Sequence, residues 1–377
     1  MKKMIVLIFV MALLFSCSEK NQNTEREVEI IEIKGKDLTQ TGNLSDMILG
    51  FSLVPLETDS SSLIIEVKKV ILHKNHYYIF DESAQKILKF TDAGKFVRQI
   101  SSRGEGPGEF IEIHDFIIDK TRDIIFVPDY YILHSFTLDG VFIKSLPLDF
   151  MGDVISQTND DKFAFYGGFE GFRLKFVDTL GNLVSSDIPY SRINNAPVKY
   201  IFSSVADRVY FHLPACDTVF QIEDGKPKPA YFIDFGKKAY SQQFFNNLPA
   251  KIQNDMGNYL NNQTDRITFY SFLPTENHIF FQLSFSNNYY SGYYDKQSKK
   301  QLYINHNELK NDLFKSFFYF NPIGTSENKY IIAVPAHKFI DNKESNVLST
   351  EENRKIISEL SKYSNPVLMI AQPKAIE

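Results

Sequence analysis

The chain of 377 residues has no tryptophan, only two cysteines and a formal charge of only −5. Two cysteines cannot staple a chain of this length, so stability has to come from packing. The mild acidic excess leaves no broad electrostatic footprint for nucleic acid, and no nucleic-acid partner is expected. No apolar run reaches the ~20 residues that a membrane-spanning helix needs. There is no His-Glu-x-x-His, no Cys-x-x-Cys pair and no Gly-x-Ser-x-Gly elbow, so the common zinc and serine-hydrolase signatures are missing. Roughly the first 230 residues carry no sustained 3.6-residue periodicity, which excludes a helical solenoid. What is plentiful is ring: 34 Phe and 20 Tyr in a chain that is 43% hydrophobic. Such a composition excludes disorder and predicts a large core.

The first residues read as an address. Lys2 and Lys3 precede an unbroken apolar run from Ile5 to Phe15. Its length suits the apolar region of a secretory signal rather than a span. The run ends at Leu14-Phe15-Ser16-Cys17, followed by polar Ser18-Glu19-Lys20-Asn21. That junction resembles a bacterial lipobox. It implies a signal peptide over 1–16, lipidation of Cys17, and a tether and lead-in over 17–50. The membrane would then be met only through the lipid. Cys216 is expected to be a buried structural thiol, since nothing beside it would lower its pKa.

The body reads as β nearly throughout. Four segments share a strand, a tight turn ending in glycine, and a second strand: residues 86–100, 132–146, 173–188 and 217–233. Their glycines, Gly94, Gly140, Gly181 and Gly225, recur at intervals of roughly 40–46 residues, the period of a four-stranded propeller blade. Positive φ at the turn explains the glycine. Each hairpin is preceded by another strand pair. A degraded fifth unit covers 267–304, and a sixth begins near Phe317 and closes with residues 365–373. The sixth lacks one strand, which residues 51–57 are expected to supply. The prediction is an all-β, six-bladed β-propeller of four-stranded antiparallel blades in one domain over 51–377. Helical insertions are expected near 240–264 and 349–362, the second opened by a capping box at Ser349-Thr350-Glu351-Glu352.

RGEGPGEF (103–110), with VPLET (54–58) and SLIIEVKKV (62–70), resembles the six-bladed β-propeller lipoproteins of Gram-negative bacteria, relatives of the NHL-repeat propellers. The resemblance implies the fold and a cell-envelope location at the outer membrane. It implies no single chemistry, because propellers host binding modules and enzymes alike.

In a propeller, the loops between blades share a face with the loops between each blade's second and third strands. That face surrounds the channel mouth and is where ligand residues tend to sit. The expected ligand set is Arg103, Glu109, Asp129, Tyr130, Tyr131, Phe169, Arg173, Tyr289 and Tyr290. RGEGPGEF is neither a P-loop nor a dinucleotide fingerprint, since Glu109-Phe110 stands where those motifs need Lys-Ser/Thr or Gly. It reads mainly as a rigid crossover. His114 and Asp115 form the best inward-facing metal pair, and Ca²⁺ is the one cofactor left open. His73 and His76 read as exposed turn residues. Rings with charged neighbours suit a glycan, a peptide or an envelope protein as partner. The expected function is a lipid-anchored binding module. The alternative is a hydrolase or lyase at the channel mouth, possible with or without a metal.

Overall fold

The computed structural model describes residues 28–33, 38, 41–101, 103–168, 170–190, 201–213, 215–249, 252, 255–313, 320–340 and 350–376. The signal region, Cys17 and Phe169 lie outside the described residues.

Six four-stranded antiparallel blades form the propeller. Five follow the chain in order: blade 1 over 67–99, blade 2 over 117–147, blade 3 over 154–189, blade 4 over 202–234 and blade 5 over 268–305. The first strands pack one against the next around the channel, and that of blade 6 (Gly324–Ser326) returns to that of blade 1 (Val67–His73). Blade 6 takes its fourth strand from the start of the fold. Ile48–Pro55 pairs antiparallel with Val367–Pro373, as Val367 opposite Pro55 through Ala371 opposite Phe51. The expected closing strand is therefore present, a few residues earlier than the sequence suggested. No sheet edge is left open at the junction of first and last blades.

The lead-in does more than arrive. Glu29–Glu32 adds a fifth, parallel strand to the outer edge of blade 4, with Glu29 opposite Tyr231 and Glu32 opposite Asp234. The segment then crosses blade 5. Tyr294 donates to Glu29 at 2.6 Å and Gln301 donates to the Glu32 carbonyl at 2.5 Å. Ile31 and Ile33 are buried in the blade 4–5 cluster, and Leu44 and Met47 in the blade 5–6 cluster. One belt thus ties three consecutive blades.

Aromatic packing fills the wedges between blades. Phe80, Phe110, Phe116 and Phe136 join blades 1 and 2, while Phe126, Phe150, Phe163 and Phe165 join blades 2 and 3. Each such ring, fully buried, contributes about 2–3 kcal/mol of transfer free energy. The turn glycines also serve this packing. Gly94 has φ +80°, and a Cβ there would stand 2.1 Å from the Pro55 carbonyl oxygen at the outer strand of blade 6. Gly140 has φ +74° and meets the Ile100 carbonyl, beyond the outer strand of blade 1, at 2.5 Å. So the glycine period marks both a turn and the point where each blade docks on its predecessor.

The helical insertions fall where expected. Gln242–Asn246 and Met256–Asn261 are helices between blades 4 and 5, and their Phe245, Leu248, Met256 and Leu260 form a small core of their own. Glu351–Glu359 is the third, with Ile357 buried. Its cap is Thr350, which accepts from the Asn353 backbone; Ser349, where the capping box was expected to open, lies outside the described residues. His73 is also not the exposed turn residue expected. Its Nε2 lies 2.8 Å from Asp123 of blade 2, and its side chain is mostly covered. Cys216 is free and half-buried, and burial raises its thiol pKa.

Candidate functional site

The expected ligand residues do not gather in one place. Glu109 turns back on its own loop. Its carboxylate accepts from the Gly106 backbone at 2.8 Å, and Gly104 makes room for it, since a Cβ there would overlap the carboxylate. Gly108, with φ +79°, presses on Phe142 of the outer strand of blade 2. RGEGPGEF is thus a self-braced crossover at the rim, with Arg103 exposed and bridged to Phe110. Tyr290 is buried inside the third strand of blade 5 (Asn288–Asp295), not in a loop. Tyr289 is exposed but stacks near His306, three blades away from Tyr130.

The remaining residues converge where blades 2 and 3 meet. Asp129 ends the second strand of blade 2 (Ile124–Asp129) and is buried. Its carboxylate accepts from the backbone N–H groups of Ile111 at 2.7 Å and Glu112 at 3.2 Å. It therefore holds the incoming linker rather than facing a ligand. Asp81 plays the same part in blade 1, gripping Ile65 and Glu66. The clamp sets Glu112 beside the turn that follows. Tyr130 donates to Glu112 at 2.5 Å, and the His114 ring stands edge-on to Tyr130 at 6.3 Å. The Glu112 bond, then partial burial and nearby carboxylates, raises the Tyr130 hydroxyl pKa.

Tyr130 and Tyr131 form a two-residue turn, since Asp129 pairs directly with Ile132. Tyr130 has φ +51°. Positive φ at the first turn position ordinarily calls for glycine, and a bulky residue there is an outlier. Tyr131 projects outward at 56% exposure.

Blade 3 supplies the other wall. The Gly152 backbone donates to the Tyr130 carbonyl at 3.0 Å, and the Asp153 backbone to the Tyr166 carbonyl at 3.3 Å. This stitching places Asp153 between the two blades. Its charge reaches Tyr130, Tyr166 and Lys175. Its Oδ1 is buried and has no hydrogen-bond partner among the described residues. The Arg173 guanidinium lies 4.5 Å over the Tyr166 ring, and Lys175 lies 4.9 Å over Phe150. Burial pushes the Tyr166 hydroxyl up to about 12 despite the Arg173 charge. Burial, and then Arg173, lower the pKa of Lys175. The exposed side chains of Ile111, Ile132 and Phe172 belong to the same linker and turns.

The expected metal pair separates. His114 points to Tyr130, while Asp115 accepts from Lys69 at 2.6 Å and from the Ile155 backbone at 3.1 Å, tying blades 1, 2 and 3. Among the described residues no group of three His, Cys, Asp or Glu side chains is placed to hold a metal ion.

Sequence reasoning missed Glu112, Asp153 and Tyr166. A signal for Glu112 was present. The strands ending YYIFD (77–81) and IIFVPD (124–129) repeat an aspartate at equivalent positions, which points to the linker each one grips. Asp153 carried no such mark.

The exposed large aromatics among the described residues, Tyr131, Phe172, Tyr190, Tyr289 and Tyr363, all lie on or beside the second-to-third-strand loops and interblade linkers. Exposed Val97, Ile143, Leu183 and Val184 sit instead on outer strands.

The family model for a domain of unknown function, DUF4934, matches residues 28–372. The chain belongs to that family. The matched region takes in the belt as well as the six blades. A crystal structure of a Bacteroides fragilis protein, named as a candidate exported protein, superposes with a TM-score of 0.77 at 20% identity, covering 92% of this chain and all of that one. A DUF4221 member from Bacteroides vulgatus gives 0.53 at 10% identity, covering 87% and 98%. At these identities the likeness shows the DUF4934 chain's fold alone. No curated protein matches it. No helix among its described residues is long and apolar enough to cross a membrane.

Proposed function

We propose that this DUF4934 protein is an exported, lipid-anchored binding module that takes its ligand on the loop face where blades 2 and 3 meet. The single observation that carries the reading is Tyr130. A tyrosine occupies a left-handed turn position at a cost of about 1–2 kcal/mol, with its hydroxyl held on Glu112. The turn itself needs no side chain at that position, and the ring's contacts are with Glu112 and His114, polar groups of the same face. Strain kept at an exposed loop on a rigid scaffold is a mark of a binding site. Tyr131 offers a flat apolar face, while Glu112, Asp153, Arg173 and His114 offer polar groups of both kinds.

The anchor reading rests on the apolar run that stops at Cys17 and on the polar stretch after it. Lipid labelling in the native host tests it. The wild type should incorporate fatty acid and Cys17→Ser should not; equal labelling of both would refute the anchor. For the binding face, the double variant Tyr130→Asn/Tyr131→Ala should lose ligand while keeping its melting temperature. Undiminished binding would move the site elsewhere.

A further inference from the structure

Resting on that reading, we infer that the ligand is a neutral, hydroxyl-rich chain, an oligosaccharide, lying across Tyr131 with its hydroxyls on Asp153 and Glu112. Three observations point this way. First, the patch carries charges of both signs in close range: Glu112 and Asp153 against Arg173 and Lys175, with His114 beside them. An anion entering here meets two carboxylates, backed by buried Asp129 and Asp115; a cation meets Arg173 and Lys175. A neutral ligand avoids both penalties, and like-charge juxtaposition in a partly buried site costs several kcal/mol.

Second, the site wants donors. Asp153 Oδ1 is buried with no partner among the described residues, and a buried acceptor left unpaired is costly. Glu112 receives one bond, from Tyr130, and retains further lone pairs. A pyranose hydroxyl donates to such a carboxylate and accepts in turn from a group such as His114 or Lys175. Few uncharged ligands do both at every few ångströms.

Third, the most exposed apolar side chain of the turn is a ring, Tyr131, with Ile111 and Ile132 flanking it rather than walling a pocket. Tyr131 is 56% exposed at the tip of a rigid two-residue turn. A flat platform suits the axial C–H face of a sugar, and it has little to hold a leucine or valine side chain.

The experiment uses the purified full chain against an array of three probe sets. These are neutral hexose and N-acetylhexosamine tetramers, uronate tetramers, and lysine-rich or glutamate-rich peptides. Affinities of hits are then measured for wild type, Tyr131→Ala, Asp153→Asn, and Tyr363→Ala as an exposed-aromatic control on blade 6. Thermal melts check folding. The inference expects a neutral tetramer to bind, at least tenfold weakening in Tyr131→Ala and in Asp153→Asn, and no change in Tyr363→Ala. If uronates or peptides bind instead, and the same two variants weaken them, the ligand class is overturned and the site stands. If a neutral sugar binds and neither variant weakens it, the site is overturned. If no probe binds at millimolar concentration, both fall.

Discussion

Blades 2 and 5 stand opposite each other in the ring, and each passes from its second to its third strand in two residues. In blade 5 the turn is Ser286–Asn287, with φ of 51° and 61°. Both residues tolerate or favour the left-handed region, and the turn is a quiet one. In blade 2 the turn is Tyr130–Tyr131, with Tyr130 at 51°. The backbone task is nearly the same, yet only blade 5 answers it with ordinary turn chemistry. Blade 2 keeps rings where the turn asks for small residues. The binding role proposed for this face would account for a local preference given up at one of two equivalent turns.

The largest effect expected here is one that would blur the comparison unless pH is held. His212, at the end of the second strand of blade 4, is buried against Phe269, with the Cys216 backbone near its ring but neither ring nitrogen in a well-formed hydrogen bond among the described residues. Burial pushes its pKa down to about 3. The unfolded chain binds that proton near pH 6.5 and the folded one does not, so stability is full above about 6.5 and falls as pH drops from there toward 3. The slope reaches about 1.4 kcal/mol per pH unit. Urea titrations between pH 7.5 and 4.5 should show the loss, and His212→Phe should flatten it. An unchanged slope in the variant would assign the acid sensitivity to other groups.

Next in size, moving the blade 2 rings to blade 5 should cost stability. Ser286→Tyr/Asn287→Tyr puts bulky side chains at two left-handed positions and should lose about 2 kcal/mol in chemical denaturation. No loss would remove the contrast on which the two turns are compared. The converse change concerns function. Tyr130→Asn/Tyr131→Ala should weaken ligand binding at least tenfold, about 1.4 kcal/mol, at constant melting temperature. The smallest effect is also the most pointed. In a Glu112→Gln background, which weakens the tyrosine's anchoring bond, Tyr130→Gly should stabilise the protein by about 0.5–1 kcal/mol. A destabilised variant would mean the ring supports the fold after all.

The architecture was legible because repetition amplifies weak signals. One glycine turn says little, but Gly94, Gly140, Gly181 and Gly225 at a steady interval name a blade, and the strand deficit at the C-terminal end points to a closing strand, expected at 51–57 and found at Ile48–Pro55. The belt was not legible. Glu29–Glu32 is two isoleucines between two glutamates, and nothing local tells a fifth parallel strand from a tether. At the candidate site, Tyr130 and Tyr131 form the second-to-third-strand turn that strand counting indicated, and Arg173 lies just inside the strand after the corresponding loop of blade 3. Asp129 was read as facing a ligand and Asp115 as half of an inward-facing metal pair, because a carboxylate that grips backbone N–H groups looks the same in sequence as one that waits for a ligand or an ion. Glu109 was misplaced for the same reason, its partner being its own loop.

The belt also decides how the molecule takes a mechanical load. Tension applied ahead of Glu29 enters the propeller through a strand that lies parallel to its neighbour, Lys226–Asp234. Pulled along its length, such a strand loads its hydrogen bonds together in shear instead of peeling them one by one. What lies behind it in the path is a segment packed across blade 5 and then the closing strand of blade 6. A protein tugged from that end would grip its own ring before the ring could open.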